Sequence, residues 1–319
     1  MKPQEILKTL KAGRSFLIST HINPDPDALT SELVMALFLK SLGKRVTILN
    51  EKAMPQRFSF FPRSGMVKRY RPGQTLRYDT AVILDCGDLE RVGAVKSLIR
   101  LDKPLINIDH HITNTFFGSG PVVRPQASST AEIIYDLLRS WKFQITRDIA
   151  LLLYLGIMTD TGSFRYENTS AHTHEVTSHL MEFDFSVPEL HRRIYESIPL
   201  EEVHQFVRII ERIQPLAQGR IVCIELSRKT VRKFSESFDL RDKIFRYLRA
   251  IEGVEVVIIF TEEGVRATRV NFRSHETFDV ARLAMHFQGG GHPRASGCLL
   301  KRPMKEAKQM VLKEVKKRM

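Results

Sequence analysis

Residues 15–43 read SFLISTHINPDPDALTSELVMALFLKSLG. The opening SFLIST is an apolar run of strand length, and SELVMALFLKSLG has the spacing of a buried helix, ended by Gly43. Between them, HINPDPDALTS (21–31) sets His21, Asp25 and Asp27 within seven residues. An apolar strand that feeds an apolar helix through a short loop is half of a βα unit, so this stretch predicts a parallel sheet covered on both faces. Ligands of such sheets sit beyond the carboxyl ends of the strands, where this acidic loop would lie.

The pattern repeats outward. RVTILN (45–50), DTAVILD (79–85) and PLINID (104–109) are further strand-length runs rich in β-branched residues, and SSTAEIIYDLLRSW (128–141) and RDIALLLYLGIM (147–158) are helical. Around 184–215 the chain reads as helices broken by Pro188 and Pro199, without a strand. A second alternation follows, with a strand in GRIVCIELS (219–227) and a helix through RDKIFRYLRAIEG (241–253). VEVVIIFTEEGVRATRVNFRS (254–274) reads as a hairpin turning at TEEG (261–264). A helix near FDVARLAMHF (278–287), a loop QGGGH (288–292), a strand ASGCLLK (295–301) and a final helix complete it. The expected architecture is α/β: an N-terminal parallel-sheet domain (1–185), a helical connector (186–215) and a smaller α/β domain (216–319), with a functional cleft between the two domains.

Composition narrows the function. The chain has 319 residues, 43% of them hydrophobic, enough for a real core. No run approaches the roughly 18–20 apolar residues of a membrane span, and MKPQEILKTLKAG lacks the apolar segment of a secretory signal. Cys86, Cys223 and Cys298 are far apart, which argues against a disulfide framework and a zinc finger. These features lead us to expect a cytoplasmic protein without a membrane anchor. Lys and Arg exceed Asp and Glu by 49 to 36, a net charge of +13. That surplus suits polyanionic partners such as nucleotides or RNA, and equally suits simple solubility.

The polar residues at the strand ends form a set. His21, Asp25 and Asp27 follow the first strand, Asp85 ends DTAVILD, Asp109, His110 and His111 end PLINID, and Asp160 lies in TDTGSF (159–164) after a helix. Each has an ordinary reading alone: a strand-end aspartate often caps a helix, and one histidine of a pair can simply pack. In a parallel sheet all would converge on one rim, where so many carboxylates repel unless cations neutralise them. Mixed imidazole and carboxylate donors suit Mn²⁺, Fe²⁺ or Zn²⁺, and a pair of such ions about 3.5–4 Å apart hydrolyses phosphoesters.

The motifs HINPDPDA (21–28), ILDCGD (83–88), DHH (109–111), TDTGSF (159–164) and GGGH (289–292) resemble those of the DHH phosphoesterase superfamily, in the branch with a DHH-associated C-terminal domain. The resemblance covers nearly the whole chain and is greatest to bifunctional oligoribonucleases (nanoRNases) and pAp phosphatases. It implies one metal held by His21, Asp25 and Asp85, and a second held by Asp27, Asp85, His110 and Asp160, with manganese as the family's usual ion. It further implies that His111 acts on the phosphate or the leaving oxygen and that Asp109 fixes a histidine tautomer. Arg273, Gly289, Gly290, Gly291 and His292 would bind the nucleotide. Thr30 and the loop FQGGGHPRASG (287–297) depart from the common pattern without removing a ligand position. Phe272 and Phe287 could stack on a base or pack in a core.

The expected function is therefore a metal-dependent phosphodiesterase and phosphatase acting on short oligoribonucleotides and on 3'-phosphoadenosine 5'-phosphate (pAp), compatible with a homodimer. Hydrolysis of cyclic di-AMP or pApA is an alternative, as is a non-catalytic RNA-binding role on the same scaffold. Ser227, Arg228 and Lys229 spell a run found in DHH pyrophosphatases, a weaker signal.

Overall fold

The computed structural model describes residues 2–196, 198–235, 238–275 and 278–318. They form two compact units, Met1–Ile194 and Tyr195–Met319. The first runs α1 (Pro3–Ala12), β1 (Ser15–Ser19), α2 (Pro26–Ser41), β2 (Arg45–Asn50), β3 (Val67–Arg69), β4 (Thr80–Leu84), β5 (Leu105–Asp109) and β6 (Gly120–Val123). The helices α3 (Thr130–Ser140), α4 (Arg147–Asp160), α5 (Ala171–Leu180) and α6 (Val187–Tyr195) follow.

The six strands are all parallel, in the order β3-β2-β1-β4-β5-β6. Strands β1, β4 and β5 are buried at every residue, as expected of strands covered on both faces. Because β2 lies to one side of β1 and β5 to the far side of β4, the chain reverses its winding direction between β1 and β4. A crevice opens at such a reversal, beyond the carboxyl ends of the strands. His21 follows β1 and Asp85 follows β4, so the two flank it.

Helices α2 and α4 are buried around most of their circumference: Ala28–Met35 and Ile149–Met158 are buried without a break. A helix apolar on all sides belongs inside a layer rather than on its surface. The helix ends are fixed locally. Asp25 caps α2 by accepting the Ala28 N–H at 3.0 Å, with Pro26 at the first turn, and Ser129 caps α3 by accepting the Glu132 N–H at 3.1 Å.

The second unit carries α7 (Leu200–Ile210), β7 (Gln214–Leu216), β8 (Ile221–Leu226), α8 (Arg228–Val231), α9 (Leu240–Arg249), β9 (Val256–Gly264), β10 (Ala267–Ser274), α10 (Val280–His286), β11 (Gly290–His292), β12 (Ala295–Leu300) and α11 (Met304–Arg318). Its mixed sheet runs β11-β12-β10-β9-β8-β7, with only β8 and β9 parallel. Alternate residues of β8 serve opposite faces: Ile221 and Cys223 pack with α10 and α11, Val222 and Ile224 with α7 and α9.

Four local expectations need correction. Short strands β3 and β6 flank the four expected ones, too short to give a period. Strand β7 (Gln214–Leu216) begins in the last residues of the segment read as purely helical, and Pro188 lies in the first turn of α6, where a missing N–H costs nothing. The hairpin pairs Gly264 with Ala267, so its turn is Val265–Arg266 rather than TEEG. Finally, Gly290–His292 of the QGGGH segment is a strand edge on β12, not a free loop.

Candidate metal centre

Three strand ends and one helix end deliver the polar set to one place. His21 Nε2 lies 3.6 Å from Asp85 Oδ2, and His110 Nε2 lies 3.6 Å from Asp85 Oδ1 and 3.4 Å from Asp160 Oδ2. The donor atoms of His21, Asp25 and Asp85 fall within 4.8 Å of one another, as do those of Asp27, His110 and Asp160, and those of Asp85, His110 and His111. Two ligands bound at about 2.1 Å to one ion stand about 3.0 to 4.2 Å apart, from neighbouring to opposite positions, so these spacings fit a shared ion better than direct hydrogen bonds. Asp85 belongs to two of the groups and offers one oxygen to each side.

The electrostatics point the same way. Burial raises the Asp25, Asp27 and Asp160 carboxyls above the usual range, Asp160 to about 7, and the Asp85 charge adds to the rise in all three. Asp85 is the exception. Burial pushes it up too, but the His21 contact and the charges of His111, His110 and His21 together pull it well below the ordinary carboxylate value. Three carboxyls raised around one depressed carboxylate form a charge pattern that divalent cations would relieve.

The supporting contacts are specific. Asp27 accepts the backbone N–H groups of Thr130 (2.8 Å) and Ala131 (2.9 Å) at the start of α3, where the helix dipole favours a negative charge. Thr130 Oγ1 donates to Asp85 Oδ1 at 3.0 Å. Asp85 itself has φ +50°, in the left-handed region that non-glycine residues seldom occupy, and its N–H is held by the Ile108 carbonyl. Such strain persists only where surrounding contacts enforce it, and it turns this carboxylate toward the histidines. His111 Nδ1 lies 2.7 Å from Asp109 Oδ1, while Asn114 Nδ2 donates to Asp109 Oδ2 at 2.6 Å and to Asn107 Oδ1 at 2.9 Å. Asp109 thus orients the His111 ring and leaves its Nε2 for other partners. Burial lowers the His111 pKa, but the Asp109 hydrogen bond and the Asp85 and Asp109 charges outweigh it, to about 9.

Asn114, Thr130 and Gly156 carry parts of this site that sequence reasoning passed over. Asn114 could have been suspected three residues after the DHH triplet, and Thr130 from its place behind the Ser129 cap. Gly156 gave no signal inside its apolar helix. A Cβ there would meet Ala131 Cβ and Thr30 Oγ1 at 2.7 Å and Asp27 Oδ1 at 2.9 Å. Gly156→Ala gains about 1 kcal/mol of helix propensity and loses about 1–3 kcal/mol to overpacking. Because two of the three contacts are a methyl and a hydroxyl on packed helices, overpacking should win. Thermal melting should show a net loss, metal titration a weaker site, and Thr30→Ala added to the variant a partial recovery of both.

In the second unit the glycines divide. A Cβ at Gly289 would lie 2.2 Å from the Gly297 carbonyl, and one at Gly291 2.5 Å from the Ala295 carbonyl, so both are required by the close β12 backbone. Gly290 has nothing within 4 Å of its Cβ position. Gly289→Ala should therefore cost about 1–3 kcal/mol in a melt, while Gly290→Ala melts with the parent. The Arg273 guanidinium lies over the Phe245 ring at 4.7 Å and donates to the Phe272 carbonyl at 3.0 Å. Phe272 and Phe287 both belong to the core, which removes them as base-stacking surfaces. Ser227 caps α8 through the Thr230 N–H, giving the Ser227-Arg228-Lys229 run a local structural role.

Comparison with known proteins follows the same lines. Residues 15–157 match the DHH family, N-terminal domain, and residues 234–319 match the DHHA1 domain. The chain is 31% identical over 302 residues to the bifunctional oligoribonuclease and PAP phosphatase NrnA of Thermus thermophilus, covering 93% of this chain and 87% of that one. It is 27% identical to the Bacillus subtilis protein of the same name, over 92% of this chain and 91% of that one. The crystal structure of an exopolyphosphatase-related protein from Bacteroides fragilis superposes with a TM-score of 0.89 at 23% identity, covering 98% of this chain and 94% of the other.

Proposed function

The chain belongs to the DHH family and carries a DHHA1 domain, and from that premise we propose that it is a metal-dependent phosphoesterase that hydrolyses short oligoribonucleotides and pAp. The observation that carries this reading is the convergence of His21, Asp25, Asp27, Asp85, His110 and Asp160 into donor groups sharing Asp85's neighbourhood. Among described residues no helix is long and apolar enough to cross a membrane. The same reading makes the protein a cytoplasmic enzyme loaded with manganese, whose mixed nitrogen and oxygen preference matches the donors.

His21, Asp25 and Asp85 would hold one ion, and Asp27, Asp85, His110 and Asp160 the other. Bound there, the ions would supply Lewis-acid activation of water and of the phosphoryl oxygens. The protein's own work is positional and protonic. Asp85 holds three histidines on one side of the crevice, and Thr130 keeps its carboxylate from turning away. Protonated His111, steadied by Asp109, carries a proton at Nε2 for the leaving ribose oxygen. We assign Gly290, His292 and Arg273 to the grip on the nucleotide, with Gly289 and Gly291 shaping that edge.

The test is a manganese-loaded assay across pAp, di- to pentaribonucleotides, a long RNA and cyclic di-AMP. Turnover of pAp and the shortest oligomers is expected. Turnover of cyclic di-AMP alone would transfer the site to a signalling dinucleotide, and turnover of the long RNA alone would overturn the substrate class.

A further inference from the structure

The loop between β5 and β6 continues directly from the DHH triplet, and its side chains divide sharply. Asn114 is buried and ties the loop to the centre: its amide donates to Asp109 and Asn107, and its Oδ1 accepts the Phe116 N–H at 2.5 Å. The Thr115 N–H donates to the Gly87 carbonyl at 2.8 Å, two residues past Asp85. Phe117 packs against the core beneath. An unbroken path of hydrogen bonds therefore runs from His111 through Asp109 and Asn114 to the backbone of Phe116.

Against that anchoring, two large apolar side chains on the same loop stay in water: Ile112 is 67% exposed and Phe116 62% exposed. Phe116 also has φ +54°, the left-handed conformation that side chains disfavour. An aromatic ring that is unburied, on a strained residue that polar contacts hold in place beside a catalytic cluster, serves no purpose in the fold. Strain held by surrounding contacts concentrates where a side chain must be presented in a set direction. Resting on the activity proposed above, we propose that Phe116 is the surface on which a base of the oligoribonucleotide stacks while the adjacent phosphate lies at His111. Aromatic stacking accepts every base, because each has a π face, and so suits an enzyme that takes short RNA of any sequence.

The test compares the parent with Phe116→Gly and Phe116→Trp on the diribonucleotide ApA and on its two single-abasic analogues, with manganese. Glycine adopts φ +54° freely, so Phe116→Gly should melt at or above the parent temperature. Its KM for ApA should rise roughly 5- to 100-fold with kcat little changed, the range that loss of one stacked base implies, while Phe116→Trp keeps the parent KM. One abasic analogue should be poor for the parent and no poorer for Phe116→Gly. Equal KM values for parent and Phe116→Gly, in a parent that cleaves ApA, would overturn the stacking role alone. If the parent cleaves nothing, the reaction itself is wrong. Calorimetric binding of ApA to the same two proteins then still decides the stacking: at least fivefold weaker binding by Phe116→Gly supports it, and equal affinity rejects it.

Discussion

Asp85→Ala is expected to abolish hydrolysis while the protein stays folded. The Asp85 carboxylate is buried, faces His21, His110 and His111 within 3.7 Å, and belongs to two of the three donor groups. Without it each ion would lose a ligand and the pair its common anchor. An ion's stabilisation of transition-state charge is worth several kcal/mol, so the rate should fall by about 10³-fold or more. The fold should tolerate the change. The variant loses the hydrogen bond from Thr130 Oγ1 but keeps the Asp85 backbone N–H on Ile108, and the removed side chain leaves three raised carboxyls with one less charge to repel them. Calorimetry with manganese should show the strong binding lost, and the metal-free melting temperature close to the parent's. A variant that turns over pAp at the parent rate would refute the two-ion assignment.

His111→Gln should lose about 10²–10⁴-fold on ribonucleotide substrates, the usual contribution of a positioned general acid. The proton matters because a ribose alkoxide is a poor leaving group. A p-nitrophenyl ester, whose leaving oxygen needs no proton, should lose far less. That contrast separates proton donation from ligation: His111 also shares a donor group with Asp85 and His110, and removal of a ligand would slow both substrates alike. The pH–rate profile gives a second readout, since a variant without the imidazole should lose the alkaline limb that deprotonation of a general acid produces.

Much of the site was legible because its chemistry is written in residue types. Carboxylates and imidazoles at the ends of β1, β4 and β5 stand out against apolar strands, and at Asp25 the ordinary reading and the proposed one are compatible: it caps α2 and also lies in the His21 and Asp85 group. The residues that were missed matter only through the distant groups around them. Gly156 matters only because Ala131, Thr30 and Asp27 crowd the space where its side chain would be, and Asn114 only because Asp109 and Phe116 lie at its two ends. The GGGH run divides for a similar reason: β12 passes too close to Gly289 and Gly291 for a side chain and leaves Gly290 open, a distinction three identical letters cannot hold.

Read alone, the chain determined the alternation of buried strands and helices, hence a parallel sheet, and the identity of the groups gathered at its rim. Those follow from local physics: apolar runs of strand length must be covered on both faces, and polar residues among them fall at the ends. Tertiary structure alone decided the strand order that sets β1 beside β4, the left-handed turn at Asp85, and the exposure of Phe116 on a loop tied to Asp109. Each of these depends on which distant segments pair and pack, and no window of neighbouring residues contains that information.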